Sequence, residues 1–398
     1  MVVRKILNRE IAAFRKLQSI AFLYPINVAE LEAKEIENPD AENEQNLWGC
    51  FTDDGTLVSS MVNTAYSIYY DGHVVKMGGI GGVASAPESR MQGGIRSIFE
   101  KVFEDDKQNG VLFSVLFPFS HRYYRKFGYE ICHEGRILKF PTQELKGYRQ
   151  TATARLHEAA EGSKPFAQVY DQYARQYNYA VARTDRDWKH VLDGDPYKAE
   201  AYRYVLSRDG VDTAYCIFKA ERTSSSTQTM VVRDYAYVDT QALHDLLGFL
   251  YKLSAQFESV QLQVPDDFEP SALVEEPYDV SPVSLSRSMA RAHSVQRALE
   301  LMRHPLGEGS YSLSIQDDFL PENNGTYQVH YSGEGVQVTR TQQETCDVAM
   351  TIQTFTQLCL GFLSFDMACL KKDVTLYANE DMLRRVFIKK PGFLTDRF

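Results

Sequence analysis

Apolar and polar residues alternate in short runs over the early part of the chain and then change to a helical rhythm. Trp48–Phe51 and Leu57–Met61 flank the turn Asp53-Asp54-Gly55, and Ile68–Tyr70 and Val74–Met77 flank Asp71-Gly72, so both stretches read as β-hairpins. Ile80–Ala84 leads through a loop containing Pro and Gly to Ile95, Ile98, Phe99, Val102 and Phe103, which share one face of a helix that Asn109-Gly110 stops. Val111–Phe117 is apolar almost throughout, as a strand covered on both faces is, and Pro118 ends it. This strand–helix–strand order predicts a right-handed crossover and a parallel pair inside an otherwise antiparallel sheet.

The layout recurs downstream. Tyr235–Val238 precedes a helix with Leu243, Leu246, Leu247, Leu250 and Leu253 on one face, then a strand Val260–Val264 before Pro265. Asp239-Thr240, with no glycine, joins the strand to the helix, so this copy lacks what a phosphate-binding loop needs. Thr223–Thr227 reads as a hairpin tip and Glu269–Pro282 as a linker. A third, α+β unit opens near Met289. It has a helix at His293–Met302, strands Ser310–Ile315, Thr326–Tyr331 and Val336–Thr341 around the turn Ser332–Gly335, and helices at Ile352–Phe365 and Glu380–Ile388. Val348–Phe365 carries no charge, but its Thr, Gln and Ser residues read as a buried helix and not a membrane span.

At 398 residues the chain is long enough for two or three domains, and 44% hydrophobic with 24% charged residues is ordinary for globular protein. A net charge of −10 argues against nucleic-acid binding through phosphate neutralisation and makes a cationic ligand a more natural partner, although a charge of this size more often just keeps a protein soluble. The N-terminus reaches Asn8, Arg9 and Glu10 without an apolar signal core, so a cytoplasmic protein is expected. The six cysteines are scattered, as reduced, mostly buried thiols are, and no spacing of His or Cys suggests a metal.

The sharpest local feature is Val83-Ala84-Ser85, a strand end, followed by Arg90-Met91-Gln92-Gly93-Gly94-Ile95 at a helix start. Backbone N–H groups and the positive end of a helix dipole there suit a pyrophosphate, with Arg90 adding charge; a tight glycine loop is the plainer alternative. These residues resemble the acyl-CoA motif of the GNAT acetyltransferases, with Ile95 departing from its final Gly/Ala. Phe117-Pro118-Phe119-Ser120-His121-Arg122-Tyr123-Tyr124-Arg125-Lys126-Phe127-Gly128-Tyr129 is similar to the corresponding segment of the Eis-type (enhanced intracellular survival) N-acetyltransferases within that superfamily.

The resemblance implies a mixed α/β, α+β chain. Residues 1–145 would form a catalytic GNAT domain binding acetyl-CoA, 146–285 a degenerate GNAT domain, and 286–398 a domain like sterol carrier protein. It implies Tyr124 as general acid, with Tyr123 and Tyr129 as rivals, and the terminal carboxylate of Phe398 as a group that helps deprotonate the acceptor. Arg397 departs from an acidic residue in some relatives. Val83, Ala84, Ser85, Arg90, Met91, Gln92, Gly93, Gly94 and Ile95 would hold the co-substrate, joined by Ser120 unless that residue only caps a turn. A homo-oligomer, commonly a hexamer, is implied as well.

The chemistry fits this assignment. A phenol of pKa ~10 is matched to a departing thiolate, and an amine of pKa ~10.4 must lose a proton before it attacks a thioester. A carboxylate is a weak base for that proton, which points to a carboxylate-oriented water relay in a negative pocket between the first two domains, with an early helix near Phe22–Ile26 as a wall. The backbone N–H of Val83 or Ala84 would polarise the carbonyl. The expectation is an acetyl-CoA-dependent N-acetyltransferase, without a metal, acting on small cationic amines such as aminoglycosides or on lysine-containing substrates. The alternative is a CoA- or lipid-responsive binding module without turnover.

Overall fold

The computed structural model of the chain describes residues 1–158, 161–222, 224, 227–341 and 345–397, with backbone alone at 284–286. The first stretch forms β1 (Val2–Lys5), α1 (Ile11–Phe22), α2 (Val28–Ala33), β2 (Leu47–Phe51), β3 (Leu57–Tyr70), β4 (His73–Ser85), α3 (Gly94–Gln108), β5 (Phe113–Leu116), α4 (His121–Arg125) and β6 (Glu130–Pro141). Then come β7 (Thr153–Leu156), α5 (Lys164–Ala174), α6 (Asp185–Val191), β8 (Tyr202–Arg208), β9 (Val211–Arg222), β10 (Gln228–Tyr237), α7 (Thr240–Lys252), β11 (Ser259–Val264) and β12 (Ser281–Ala292). The last stretch holds α8 (Val295–Leu301), β13 (Gly309–Gln316), β14 (Gly325–Ser332), β15 (Gly335–Thr341), β16 (Val348–Thr351), α9 (Ile352–Cys359), α10 (Phe365–Ala368), β17 (Thr375–Leu376) and α11 (Glu380–Val386).

Twelve strands make one sheet in the order β1-β2-β3-β4-β5-β12-β6-β11-β10-β9-β8-β7, and five make a second in the order β15-β14-β13-β16-β17. Both expected crossovers are present: α3 links the parallel pair β4–β5 and α7 links the parallel pair β10–β11. Between them β12 pairs antiparallel with β5 on one edge and with β6 on the other, and β6 in turn pairs with β11. Met289 lies in this shared strand, opposite Leu116 and Ile131.

The helical stripes do what their spacing requires. Ile95, Ile98, Phe99, Val102 and Phe103 are all buried on the sheet, each contributing about 1.5–3 kcal/mol of burial as an upper estimate. Gly110, at φ +69°, lets the chain turn back after α3. The leucine face of α7 builds the corresponding core of the second unit.

Several expectations need correction. The strand expected at Val111–Phe117 is only Phe113–Leu116, because the chain bends away before Pro118. Val348–Phe365 is not one helix: Val348–Thr351 joins the small sheet as β16, and α9 ends at Cys359 ahead of Gly361 at φ +79°. The Glu269–Pro282 stretch is no free linker, since Leu273 and Val274 pack on the core of the second unit. The helix near Phe22–Ile26 stops at Phe22, where Leu23 takes a left-handed conformation. The cysteines are mostly buried free thiols, as expected: Cys50, Cys132, Cys216 and Cys359 are buried, Cys346 is half-buried and Cys369 is exposed. Of the Thr223–Thr227 tip, residues 223, 225 and 226 lie outside the described residues, as does Phe398.

Candidate active site

β4 and β5 run side by side only as far as Ile80 opposite Leu116. Beyond that point β4 continues along β3 to Ser85, while β5 leaves through Phe117-Pro118, so the two strands part into a V. A bulge sharpens the opening. Val62 faces Gly81 and Ser60 faces Ala84, so Gly82 and Val83 together stand opposite Met61 alone. Gly82 has φ +54°, and a Cβ there would lie 2.9 Å from Val62 Cγ2. From α1, Gln18 Nε2 donates to Gly82 O at 2.7 Å and to Ser60 Oγ at 2.8 Å, fixing the bulge.

Below the open end of this V sits the glycine loop. Ser85 Oγ and Ser59 Oγ are 2.7 Å apart, Ala84 is buried, and Val83 is half-buried. Arg90 is exposed, and among the described residues its guanidinium pairs with no carboxylate. Met91 is fully exposed at φ +67°, and Gln92 reaches back with Nε2 to Glu88 O at 3.4 Å. Gly93 caps α3 at φ +87°, and nothing lies within 4 Å of where its Cβ would be. Gly94 is the opposite case: a Cβ would fall 2.6 Å from Ser59 Oγ. The first glycine leaves the helix N-terminus open and the second lets the helix settle on the sheet. Ile95 turns its side chain into the core, so its departure from Gly/Ala does not narrow the mouth of the loop.

At the other arm of the V, Ser120 accepts from Tyr123 N at 3.4 Å and so caps α4, the simpler of its two expected roles. Three tyrosines crowd this corner and differ in what holds their hydroxyls. Tyr129 is fully buried and tied to Ser114 Oγ at 2.6 Å. Tyr123 is half-buried, and burial raises its pKa. Tyr124 is 3% exposed among Phe99, Phe119, Tyr123 and Tyr129, and its hydroxyl makes no hydrogen bond among the described residues. Burial pushes its pKa well above that of a free phenol, with the Tyr123 hydroxyl adding to the effect.

The Phe-Gly-Tyr signature has a structural cause that the sequence did not reveal. Gly128, at φ +83°, lies where a Cβ would sit 1.8 Å from Arg291 Nη1. That buried guanidinium donates to Phe127 O at 2.5 Å and pairs with Asp317, so the turn after Tyr124 is fastened to β12 and to the small-sheet unit.

The tail is not frayed. Gly392 N donates to Asp266 Oδ1 at 2.9 Å, Leu394 N donates to His133 Nε2 at 3.3 Å, and Gln263 Nε2 donates to Leu394 O at 2.7 Å. Phe393 is buried beside Tyr173 and Tyr177. Arg183, whose side chain is 2% exposed, bridges Asp234 at 2.7 Å and Asp396 at 3.1 Å, and Tyr215 donates to Asp234 at 2.8 Å. Sequence reasoning missed this clamp; the aromatic residues of the tail were the only signal that the segment is anchored. Arg397 is exposed.

Residues 2–132 match the family model of an acetyltransferase (GNAT) domain, and residues 180–292 match a second model of the same description. The chain belongs to the GNAT acyltransferases. Residues 295–394 match a sterol carrier protein domain. Two GNAT domains followed by such a domain is the order that the resemblance implied. Solved structures share this fold over the whole length. A GCN5-related N-acetyltransferase from Anabaena variabilis is 20% identical, with 100% of each chain covered and a TM-score of 0.86. A probable N-acyltransferase from Enterococcus faecalis is 24% identical, covering 100% of this chain and 99% of its own, with a TM-score of 0.83. Eis1 from Mycobacterium abscessus is 20% identical, with 100% of each chain covered and a TM-score of 0.80. No curated protein sequence matches the chain. Domains of the GNAT family take acetyl-CoA as co-substrate. Among the described residues of this GNAT protein, no helix is long and apolar enough to cross a membrane, and no group of three or more His, Cys, Asp or Glu side chains could hold a metal ion.

Proposed function

We propose that the protein is an acetyl-CoA-dependent N-acetyltransferase that passes the acetyl group directly to a primary amine of a small cationic molecule or a lysine-containing substrate. The observation that carries this reading is the coincidence, at one V between β4 and β5, of an open helix N-terminus at Gly93 with the Arg90 guanidinium and the hydroxyl of Tyr124, neither of which has a partner among the described residues. In this reading the N–H groups of residues 91–95 and the Arg90 guanidinium bind the pyrophosphate. A backbone N–H in the Gly82–Val83 bulge or at Ala84 steadies the developing oxyanion. Tyr124 delivers a proton to the leaving thiolate; its burial keeps it protonated but also lifts it above the value at which a free phenol matches a thiolate. Ser120 serves as the cap of α4.

The Phe398 carboxylate is proposed, on the resemblance, as the group that orients a proton-accepting water. The anchoring of Asp396 by Arg183 supports that role, because it holds the chain two residues earlier in a buried ion pair. The division at 145 and 285, a homo-oligomeric assembly and a cytoplasmic setting belong to the same proposal and rest on the same resemblance. The test is thiol release from acetyl-CoA with a panel of polyamines, aminoglycosides and lysine peptides. Multiple turnover that depends on an amine is the expected result; acetyl-CoA binding without product from any amine would replace this reading with that of a CoA-binding module.

A further inference from the structure

The second GNAT domain repeats the V of the first with different contents. β10 and β11 pair in parallel from Thr229 opposite Ser259 to Val232 opposite Leu262, and then separate: β10 follows β9 to Tyr237, and β11 follows β6 to Val264. Between the parted strands, beneath α7, lies a cavity of about 250 Å³. Val232 and Leu262, the last paired residues, form its floor, and the inward leucines of α7, Leu243, Leu246, Leu247 and Leu250, form one wall. Phe268 and Val274 close it from above. This roof is held down: Phe268 O accepts from Arg136, Leu273 O accepts from Tyr148 at 2.8 Å, and Glu276 N donates to Glu144 at 3.0 Å.

Close-packed cores leave few voids larger than a water molecule, and an apolar cavity of about 150 Å³ already takes up benzene. Away from the rim its lining is mainly leucine, valine and phenylalanine, which offer an ordered water none of the two to four polar partners it needs. A nucleotide is excluded by the entrance to the helix. Asp239 caps α7 by accepting from Ala242 N at 2.7 Å and pairs with Arg208 at 2.6 Å, placing a carboxylate where a phosphate would have to sit. The charged side chain that lines the cavity is Asp267, at a rim shared with Tyr177 and Tyr237. A carboxylate and two phenols suit an amine or a hydroxyl and repel an acid.

We propose that the second GNAT domain binds a medium-length aliphatic chain with an amine or hydroxyl head, seated where the first domain's fold places its co-substrate. The site lies outside the V between β4 and β5, although its rim residue Tyr177 packs on Phe393 of the C-terminal tail, and it stands whether or not the transferase reading does. The test uses the full chain and the fluorescence of N-phenyl-1-naphthylamine, displaced in turn by 1-decanol, decylamine and decanoate. Decanol and decylamine should displace the probe at least roughly tenfold more effectively than decanoate, by the same charge argument. Leu247→Trp fills the chamber from its wall and Leu243→Trp fills it from the mouth. Each should weaken probe binding by roughly tenfold or more while acetyl-CoA binding, followed in parallel, is retained. Xenon pressurised into crystals of the unsubstituted chain should appear between Val232 and Leu247. A probe that does not bind, a probe that binds both tryptophan variants as well as the parent, a preference for decanoate, or a chamber without xenon would each overturn the assignment.

Discussion

Both GNAT domains spread a parallel strand pair beneath a helix, β4 from β5 under α3 and β10 from β11 under α7. Yet α3 begins at Gly93 with open space before it, and α7 begins at Asp239 with its own carboxylate in that space. The shape of each V is maintained by apolar packing of a helix face on a sheet, which many sequences satisfy. Its chemistry depends on a few residues at the helix start. Losing anion binding therefore takes a change at the cap and leaves the fold in place.

The contrast extends to the single aspartate that each helix buries. On α3, Asp106 accepts from Asn63 Nδ2 at 2.8 Å, and burial outweighs that one bond, pushing its pKa up to about 7; among the described residues its other oxygen makes no hydrogen bond, and neither does Oδ2 of Asp245 on α7. His293 lies 3.7 Å away but is kept neutral, its pKa pushed down to about 3 by burial and by Arg291. On α7, Asp245 is just as hidden. Burial would raise it, but Thr151 N, Thr151 Oγ1 and Ala152 N, at 2.6, 2.8 and 3.2 Å, hold its pKa below the usual range.

The comparison can be broken most forcefully at Tyr124. Tyr124→Phe should lower kcat by about 10²–10⁴-fold with little change in the KM for acetyl-CoA, because only the proton donor is lost. Steady-state thiol release decides this; an unchanged kcat would pass the role to Tyr123. Next in size is Asp245→Asn, which exchanges charge-assisted bonds for weaker ones and should cost about 2–4 kcal/mol at pH 7 in urea unfolding. Its folded pKa is lowered, so the stability it supplies is present above the unfolded value and lost as pH falls; the cost should shrink towards pH 3.

Asp106→Asn should do the reverse on a smaller scale. A carboxyl whose folded pKa is raised binds a proton in the native state that the unfolded chain has released, so its contribution falls as pH rises from about 4 to about 7. The variant should match the parent near pH 4 and exceed it by about 1–3 kcal/mol at pH 8, in urea titrations at the two pH values. The smallest effect is expected from Asp239→Gly. A glycine cap costs only a few tenths of a kcal/mol, and the lost surface pair with Arg208 adds at most about 1 kcal/mol. Calorimetry should detect no gain of CoA binding in the second domain, since the leucine-lined chamber remains; new CoA binding there would show that the cap alone separates the two sites.

Local patterns revealed one set of features and long-range contacts another. The face of α3, the leucine face of α7, the Asp71-Gly72 turn and the glycine loop were legible because spacing and turn chemistry act within about ten residues. The bulge at Gly82 was not, since it depends on Gln18, 64 positions away. Gly128 could be recognised as part of a signature, but its reason is an arginine 163 residues later. The Arg183 clamp joins partners 51 and 213 residues distant. Val348–Phe365 misled because lack of charge reports burial and does not distinguish a strand from a helix.

Finally, β12 and β6 stitch the two GNAT domains into one hydrogen-bonded surface, and that has a mechanical consequence. Swinging one domain against the other would tear the ladders that join β5 to β12 and β6 to β11. A continuous ladder of this kind opposes the jaw motion by which many two-domain enzymes enclose a substrate. Opening and closing would then fall to small parts at the rim, among them the end of α1, where Phe22 and Leu23 are exposed. Turnover would then be paced by local loop movement on a stiff sheet, and crosslinking one domain to the other should leave the catalytic rate nearly unchanged.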